Sequence, residues 1–225
     1  MSDLTLAADF PLATQDDWLK RVDAVLKGAR FEEKLVSRTI EGIPIQPLAG
    51  QVEGPRAARS LHAPWTVMQR IDHRAPGDAN VQALADLEGG ATGLVIAIQD
   101  APSARGFGLE KADAKTFGRA LKDVRLDAIA LRLDAGPNGR LAAQSLAELI
   151  RGSAVNPALL DLAFGMDPIG VLAQRGALDE PWPARAKLVA ETVSDLASEF
   201  RGPFVEADGR VWHDAGAGEA LELAA

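Results

Sequence analysis

The chain has 225 residues, a net charge of −8 and a pI near 5.0, with 47% hydrophobic and 25% charged residues, the balance of an ordinary soluble globular protein. That length allows one large α/β domain or a pair of small ones, and it suffices for a sizeable core. The acidic balance argues against nucleic acid or an anionic membrane surface as the main partner, and the absence of cysteine excludes a disulfide framework, a thiolate nucleophile and a zinc ribbon. The opening MSDLTLAADFPLAT has neither a basic n-region nor a long apolar run. No stretch approaches the roughly 18–20 apolar residues that span a bilayer. The expectation is a cytoplasmic protein with no membrane partner.

Thr14 followed by Asp17 predicts a helix start, a side-chain oxygen capping free amides with an acid in the first turn. Trp18, Leu19, Val22, Val25 and Leu26 then recur at helical spacing, and Gly28 is the natural stop. From Phe31 to Gly54 short apolar pieces alternate with Gly42, Pro44, Pro47 and Gly50, which predicts an extended arm.

Beyond the arm the pattern becomes regular. Thr92–Asp100, Leu126–Asp134, Leu159–Asp167 and Pro203–Asp208 read as short strands. Helical patterns lie at Asp78–Leu87, Ala112–Lys122, Leu141–Ile150 and Ala184–Phe200. Strands alternating with such helices imply βαβ units and a parallel sheet. Each strand ends on an aspartate, Asp100, Asp134, Asp167 and Asp208. That end of a parallel α/β fold is where ligands bind, and it is also where aspartate serves as a cap. In the second strand Ile129, Leu131 and Leu133 share one face, and Ala130, Arg132 and Asp134 the other. Arg132 is expected to pair with a strand-end acid, since burial without a partner is costly. An anion-binding role for Arg132 is the sharper alternative.

Two strings carry a resemblance. WLKRVDAVLKG…FEEKLVSRTIEGIPIQPL (Trp18–Leu48), then PWTVMQ (Pro64–Gln69), resembles the N-terminal region of methylmalonyl-CoA mutase, and DAGAGEALELA (Asp214–Ala224) is similar to that family's Glu-Ala-Gly-Ala turn. The resemblance implies an α/β fold containing part of a (β/α)8 barrel, about four βα units in residues 61–225. It implies an N-terminal helix and extended arm in residues 1–60 that contact a large catalytic subunit in a heterodimer. Trp18 and Trp65 are candidate interface anchors. At family level the cofactor is adenosylcobalamin, whose radical chemistry isomerises methylmalonyl-CoA to succinyl-CoA while the protein positions the substrate.

The departures from that pattern bear on activity. Active relatives continue PWT-x-Arg-Gln-Tyr, whereas this chain reads PWTVMQR, with Met68 at the arginine that helps hold CoA and Arg70 at the tyrosine. Thr66 and Gln69 match, and Ala63 stands where an arginine usually precedes the proline. Methionine cannot clamp a phosphate, and a flexible arginine does not reproduce a phenol. Aligning DAGA without a gap puts Val211 at the family's histidine position, two residues from His213. On a strand His213 would lie about 6–7 Å further along the same face, and its alternative is to cap the helix that follows.

No catalytic residue is therefore assigned. The substrate-binding candidates are Thr66, Gln69, Arg70, Arg132 and His213. Asp-x-His-x-x-Gly, the family's cobalamin motif, does not occur, and His62 and His73 lack metal-ligand spacing. Neither cobalamin nor a metal is expected on this chain, and acyl-CoA is expected only in the complete assembly. ARGFG (Ala104–Gly108), with Arg105, reads as a plain loop or a phosphate cradle. ALELAA has no helix stop before Ala225, so the chain reads as a truncated barrel from a non-catalytic small subunit. Two other readings stay open: an active acyl-CoA mutase with altered acyl specificity through Arg70, and an unrelated α/β enzyme using Arg132 and the strand-end aspartates.

Overall fold

The computed structural model describes residues 13–50, 54 and 64–224. His62 and Ala63 lie outside them. The chain divides into two compact units, residues 1–58 and 59–225.

In the first unit, α1 (Gln15–Leu26) begins with a complete capping box. Thr14 Oγ1 accepts from the Asp17 amide at 3.2 Å, and the Asp17 carboxylate accepts from the Thr14 amide at 3.4 Å. The helix ends as Lys27 and Gly28 turn left-handed. Trp18 meets Phe31 edge to face at 6.0 Å, and Phe31 opens the single helical turn α2 (Phe31–Lys34). Then β1 (Ser37–Arg38) and β2 (Pro44–Ile45) form a two-residue antiparallel hairpin, closed where Gly42 takes a positive φ. The stretch expected to be extended thus contains a turn of helix and a hairpin. None of the unit's described residues is buried, and Val25 and Ile40 are 78% and 87% exposed.

The second unit is built on four parallel strands in chain order, β3 (Met68–Ile71), β4 (Gly93–Ala97), β5 (Ala130–Asp134) and β6 (Asp161–Ala163). The helices α3 (Pro76–Glu88), α4 (Ala114–Ala120) and α5 (Gly139–Arg151) connect them. They are followed by α6 (Pro168–Arg175), α7 (Trp182–Leu196), α8 (Arg210–Asp214) and α9 (Glu219–Ala224). The register places Ile71, Ile96 and Leu133 in one row, and Leu94, Leu131 and Leu162 in another. All six are buried, packed with Ala79, Phe117, Leu146 and Leu196 from α3, α4, α5 and α7 in one core. Neighbouring helices pack in sequence, α3 on α4, α4 on α5 and α5 on α7. The opposite face carries Arg70, Val95, Arg132 and Ala163 in a single row, as the alternation in the second predicted strand anticipated.

Three differences from the sequence reading have local causes. The first strand, β3, carries Gln69 and Arg70 in only four residues, too short for a period-2 signal, and it forms by pairing with β4. Residues 126–128 and 157–159 are single 3-10 turns, so their strands start later, at Ala130 and Asp161. The stretch Pro203–Asp208 is extended but makes one isolated bridge, Met166 to Val205. Beside it, Gly165 takes a φ of 60°, and a Cβ there would lie 2.0 Å from the Leu133 carbonyl oxygen. That glycine interrupts the ladder after Ala163. The neighbouring backbone still pairs, with the amides of Phe164 and Met166 donating to the carbonyls of Pro203 and Phe204.

Candidate functional site: an ion-pair cluster at the strand ends

The carboxyl ends of β3 and β5 meet the turn after β4 and the start of α8 around Asp134. Its side chain is 5% exposed, and Oδ2 accepts from Arg70 Nη1 at 2.9 Å, from Arg210 Nη1 at 3.1 Å and from the Ser103 hydroxyl. Arg70 also reaches Ser103 Oγ at 3.0 Å, the Ser103 carbonyl at 3.2 Å and Asp72 at 3.4 Å. Arg210 forks onto Asp208 with two bonds of 2.7 Å. Bidentate, charge-assisted pairs of this kind hold geometry as well as energy. Burial pushes the Asp134 carboxyl up, but the bonds from Ser103 and Arg70 and the nearby Arg210 outweigh it and leave it below its ordinary value. The Asp208 bonds hold Arg210 firmly protonated.

Glu206 stands beside this network, close to the charges of Asp134, Asp208 and Arg210. Partial desolvation, then the charges of Asp134 and Asp208, push its carboxyl up to about 7, against the pull of Arg210. Asp167, buried like Asp134, caps α6 through the Gly170 amide at 2.8 Å and accepts from the Asp208 amide at 3.0 Å. The fourth strand-end aspartate, Asp100, takes an exposed bond from Asn138 at 3.1 Å. Two of the four, Asp134 and Asp208, therefore sit within the cluster, one beside it as a helix cap, and one at the surface.

The other candidates are placed as follows. Thr66 is exposed in the segment before β3. Gln69 is exposed on β3, and alternation puts it on the face opposite Arg70. Arg132 pairs with Asp161 at 2.9 Å, at the start of β6 and not at a strand end as expected. Residues 210–214 are helical, so Val211 and His213 are not strand neighbours: Val211 is buried, while exposed His213 reaches Glu222 of α9 at 3.1 Å. Met68 lies over Gly93, whose added Cβ would stand 2.1 Å from its Sδ. Arg105 pairs with Asp214 at 3.2 Å. Trp65 is 76% exposed and Trp18 half-buried.

Sequence reasoning missed Ser103, Glu206 and Arg210. Only Arg210 left a signal, an arginine two residues after an acid, and Arg125 forks onto Asp127 at the same spacing. Among the described residues no group of three or more histidine, aspartate or glutamate side chains is arranged to hold a metal.

Fold and cluster together define a parallel α/β protein whose strand-end face is occupied by its own ion pairs. No protein-family model matches the chain. It is 31% identical, over 99% of its length, to the methylmalonyl-CoA mutase small subunit of Streptomyces virginiae. It is 27% identical over 98% of its length to the small subunit from Propionibacterium freudenreichii subsp. shermanii, and 31% identical over 57% to that from Porphyromonas gingivalis. The chain spans 38%, 36% and 22% of the lengths of these relatives. The chain is related to the methylmalonyl-CoA mutase small-subunit family.

Proposed function

We propose that the chain is a scaffold part of a methylmalonyl-CoA mutase small subunit, with no turnover of its own. The observation that carries this reading is the Asp134 cage. Arg70, at the family's tyrosine position, spends its guanidinium on Asp134, Ser103 and Asp72 and so is not itself free to hold an acyl carboxylate. Met68, at the family's arginine position, lies on Gly93. The alternative of an active mutase selecting its acyl group through Arg70 requires that arginine to give up a charge-assisted bond of 2.9 Å to a carboxylate that is 5% exposed. The reading as an unrelated enzyme built on Arg132 is weakened by the exposed Asp161 pair and by the family relationship.

In this reading residues 61–225 are the N-terminal half of a (β/α)8 barrel. Sequential parallel strands with right-handed crossovers put every connecting helix on one face, and the single core shared by α3, α4, α5 and α7 supports that arrangement. Residues 1–60 form the arm that contacts the large catalytic subunit of a heterodimer. An arm with no buried residue among those described and with exposed Val25, Ile40 and Ile45 is suited to burial on a partner. Adenosylcobalamin and acyl-CoA act in the complete assembly, in the cytoplasm. This sequence carries no Asp-x-His-x-x-Gly. No helix among the described residues is long and apolar enough to cross a membrane.

Calorimetric titration tests the proposal. Methylmalonyl-CoA is expected to bind the chain no more tightly than CoA without its acyl group. A tenfold gain, about 1.4 kcal/mol, from the acyl group overturns it.

A further inference from the structure

A cavity of about 410 Å³ opens between the loop after β3, the residues leading into α4, and α4 itself, and it shares no lining residue with the Asp134 cage. Four cations line it: Arg74, Lys111, Lys115 and Arg119. Of the two carboxylates there, Glu110 is bound to Arg74 at 3.0 Å, and Asp113 caps α4 by accepting from the Thr116 amide at 2.7 Å. Lys111, Lys115 and Arg119 make no ion pair within 4.0 Å among the described residues. The cavity therefore holds an excess of two positive charges in a chain of net charge −8.

Arg119 suits the last turn of α4, but Lys115 does not suit the first. Lys115 and Arg119 lie four residues apart on α4, where like charges repel. Lys115 also sits in the first turn, where the helix dipole disfavours a cation. The first turn of α3, which no side chain caps, opens onto the same space through Ala75 and Pro76. A multiply charged anion offsets all three costs at once. The volume falls in the range of small-molecule sites and exceeds what one phosphate group fills.

We propose that this cavity binds a di- or triphosphate anion, free or as part of a small molecule, with Lys111, Lys115 and Arg119 as the free cations and Arg74 held in place by Glu110. The site is independent of the scaffold role: it stands or falls without reference to the acyl group or to Asp134.

The test is calorimetric titration of the full chain with inorganic triphosphate, pyrophosphate and sulfate at about 50 mM and about 200 mM salt, where screening separates charge-driven binding. Triphosphate is expected to bind below about 1 mM, more tightly than pyrophosphate and far more tightly than sulfate. The double variant Lys115→Gln/Arg119→Gln, and separately Lys111→Gln, is expected to weaken it at least about tenfold with no fall in melting temperature. Lys20→Gln/Lys187→Gln, on exposed faces of α1 and α7, is expected to leave it unchanged. Three results overturn the proposal: no triphosphate binding at low salt, equal binding by the cavity variants, or equal weakening by the α1 and α7 variant.

Discussion

Replacing Asp134 by asparagine keeps the volume of the side chain and removes its charge. Three donors converge on one oxygen of a carboxylate that is 5% exposed. Hydrogen bonds to a charged group contribute about 1.5–3 kcal/mol each, and removing one member of a buried ion pair costs about 3–5 kcal/mol. Both arginines have second partners and part-exposed side chains, 31% for Arg70 and 49% for Arg210, so solvent screening lowers that figure. The expected loss is about 2–3 kcal/mol. For a chain of this size that is a fall of about 5–10 °C in melting temperature. Urea denaturation with a shared m-value measures it, with Asp100→Asn, at an exposed bond to Asn138, as a control expected within about 0.5 kcal/mol. The double variant Arg70→Met/Asp134→Asn is expected to show a coupling of about 1 kcal/mol or more. An Asp134→Asn chain as stable as the control refutes the idea that this cage organises the strand ends.

Two further outcomes follow from the same geometry. Glu206 is held at about 7, above its ordinary value of 4.5, so the folded state binds its proton more tightly than the unfolded chain. Its stabilising share is complete below about pH 4.5 and is lost as pH rises through 7. Unfolding free energies from pH 5 to 7.5 should therefore fall in the native chain relative to Glu206→Gln, and a constant difference between the two rejects the shifted carboxyl. Gly165→Ala places a Cβ 2.0 Å from the Leu133 carbonyl oxygen at a φ of 60°. Circular dichroism melts are expected to show a loss larger than the roughly 1–3 kcal/mol of backbone strain alone, whereas Gly77→Ala, where an added Cβ meets nothing within 4 Å, should move the midpoint little.

What the sequence made legible is what local chemistry decides. Thr14 and Asp17 announce α1 because a capping box is complete within four residues. Leu131 and Leu133 announce a covered face because strand alternation is intrinsic to the backbone. What stayed hidden depends on pairing across the chain. Strand β3 exists because Met68 registers with Gly93, a relation no window around MQRI contains. Arg70 meets Asp134 across 64 positions and Arg210 meets it across 76, so the cage had no motif. Arg132 was expected to pair at a strand end and instead found Asp161, nearer on the adjoining strand. Residues 210–214 could not be told from a strand end by composition, yet they form the helix that delivers Arg210.

Arg70 and Arg210 are held by Asp134 and Asp208, and the proposed scaffold role requires that they stay so in the presence of an acyl thioester. Side-chain NMR of the guanidinium protons in the full chain reads this directly, because each arginine reports for itself whatever binds elsewhere. Slowly exchanging resonances are expected for Arg70 and Arg210, shifted by Asp134→Asn and left unmoved by methylmalonyl-CoA. Fast-exchanging guanidinium protons in the free chain, or movement of the Arg70 signal on adding methylmalonyl-CoA but not CoA, contradicts it.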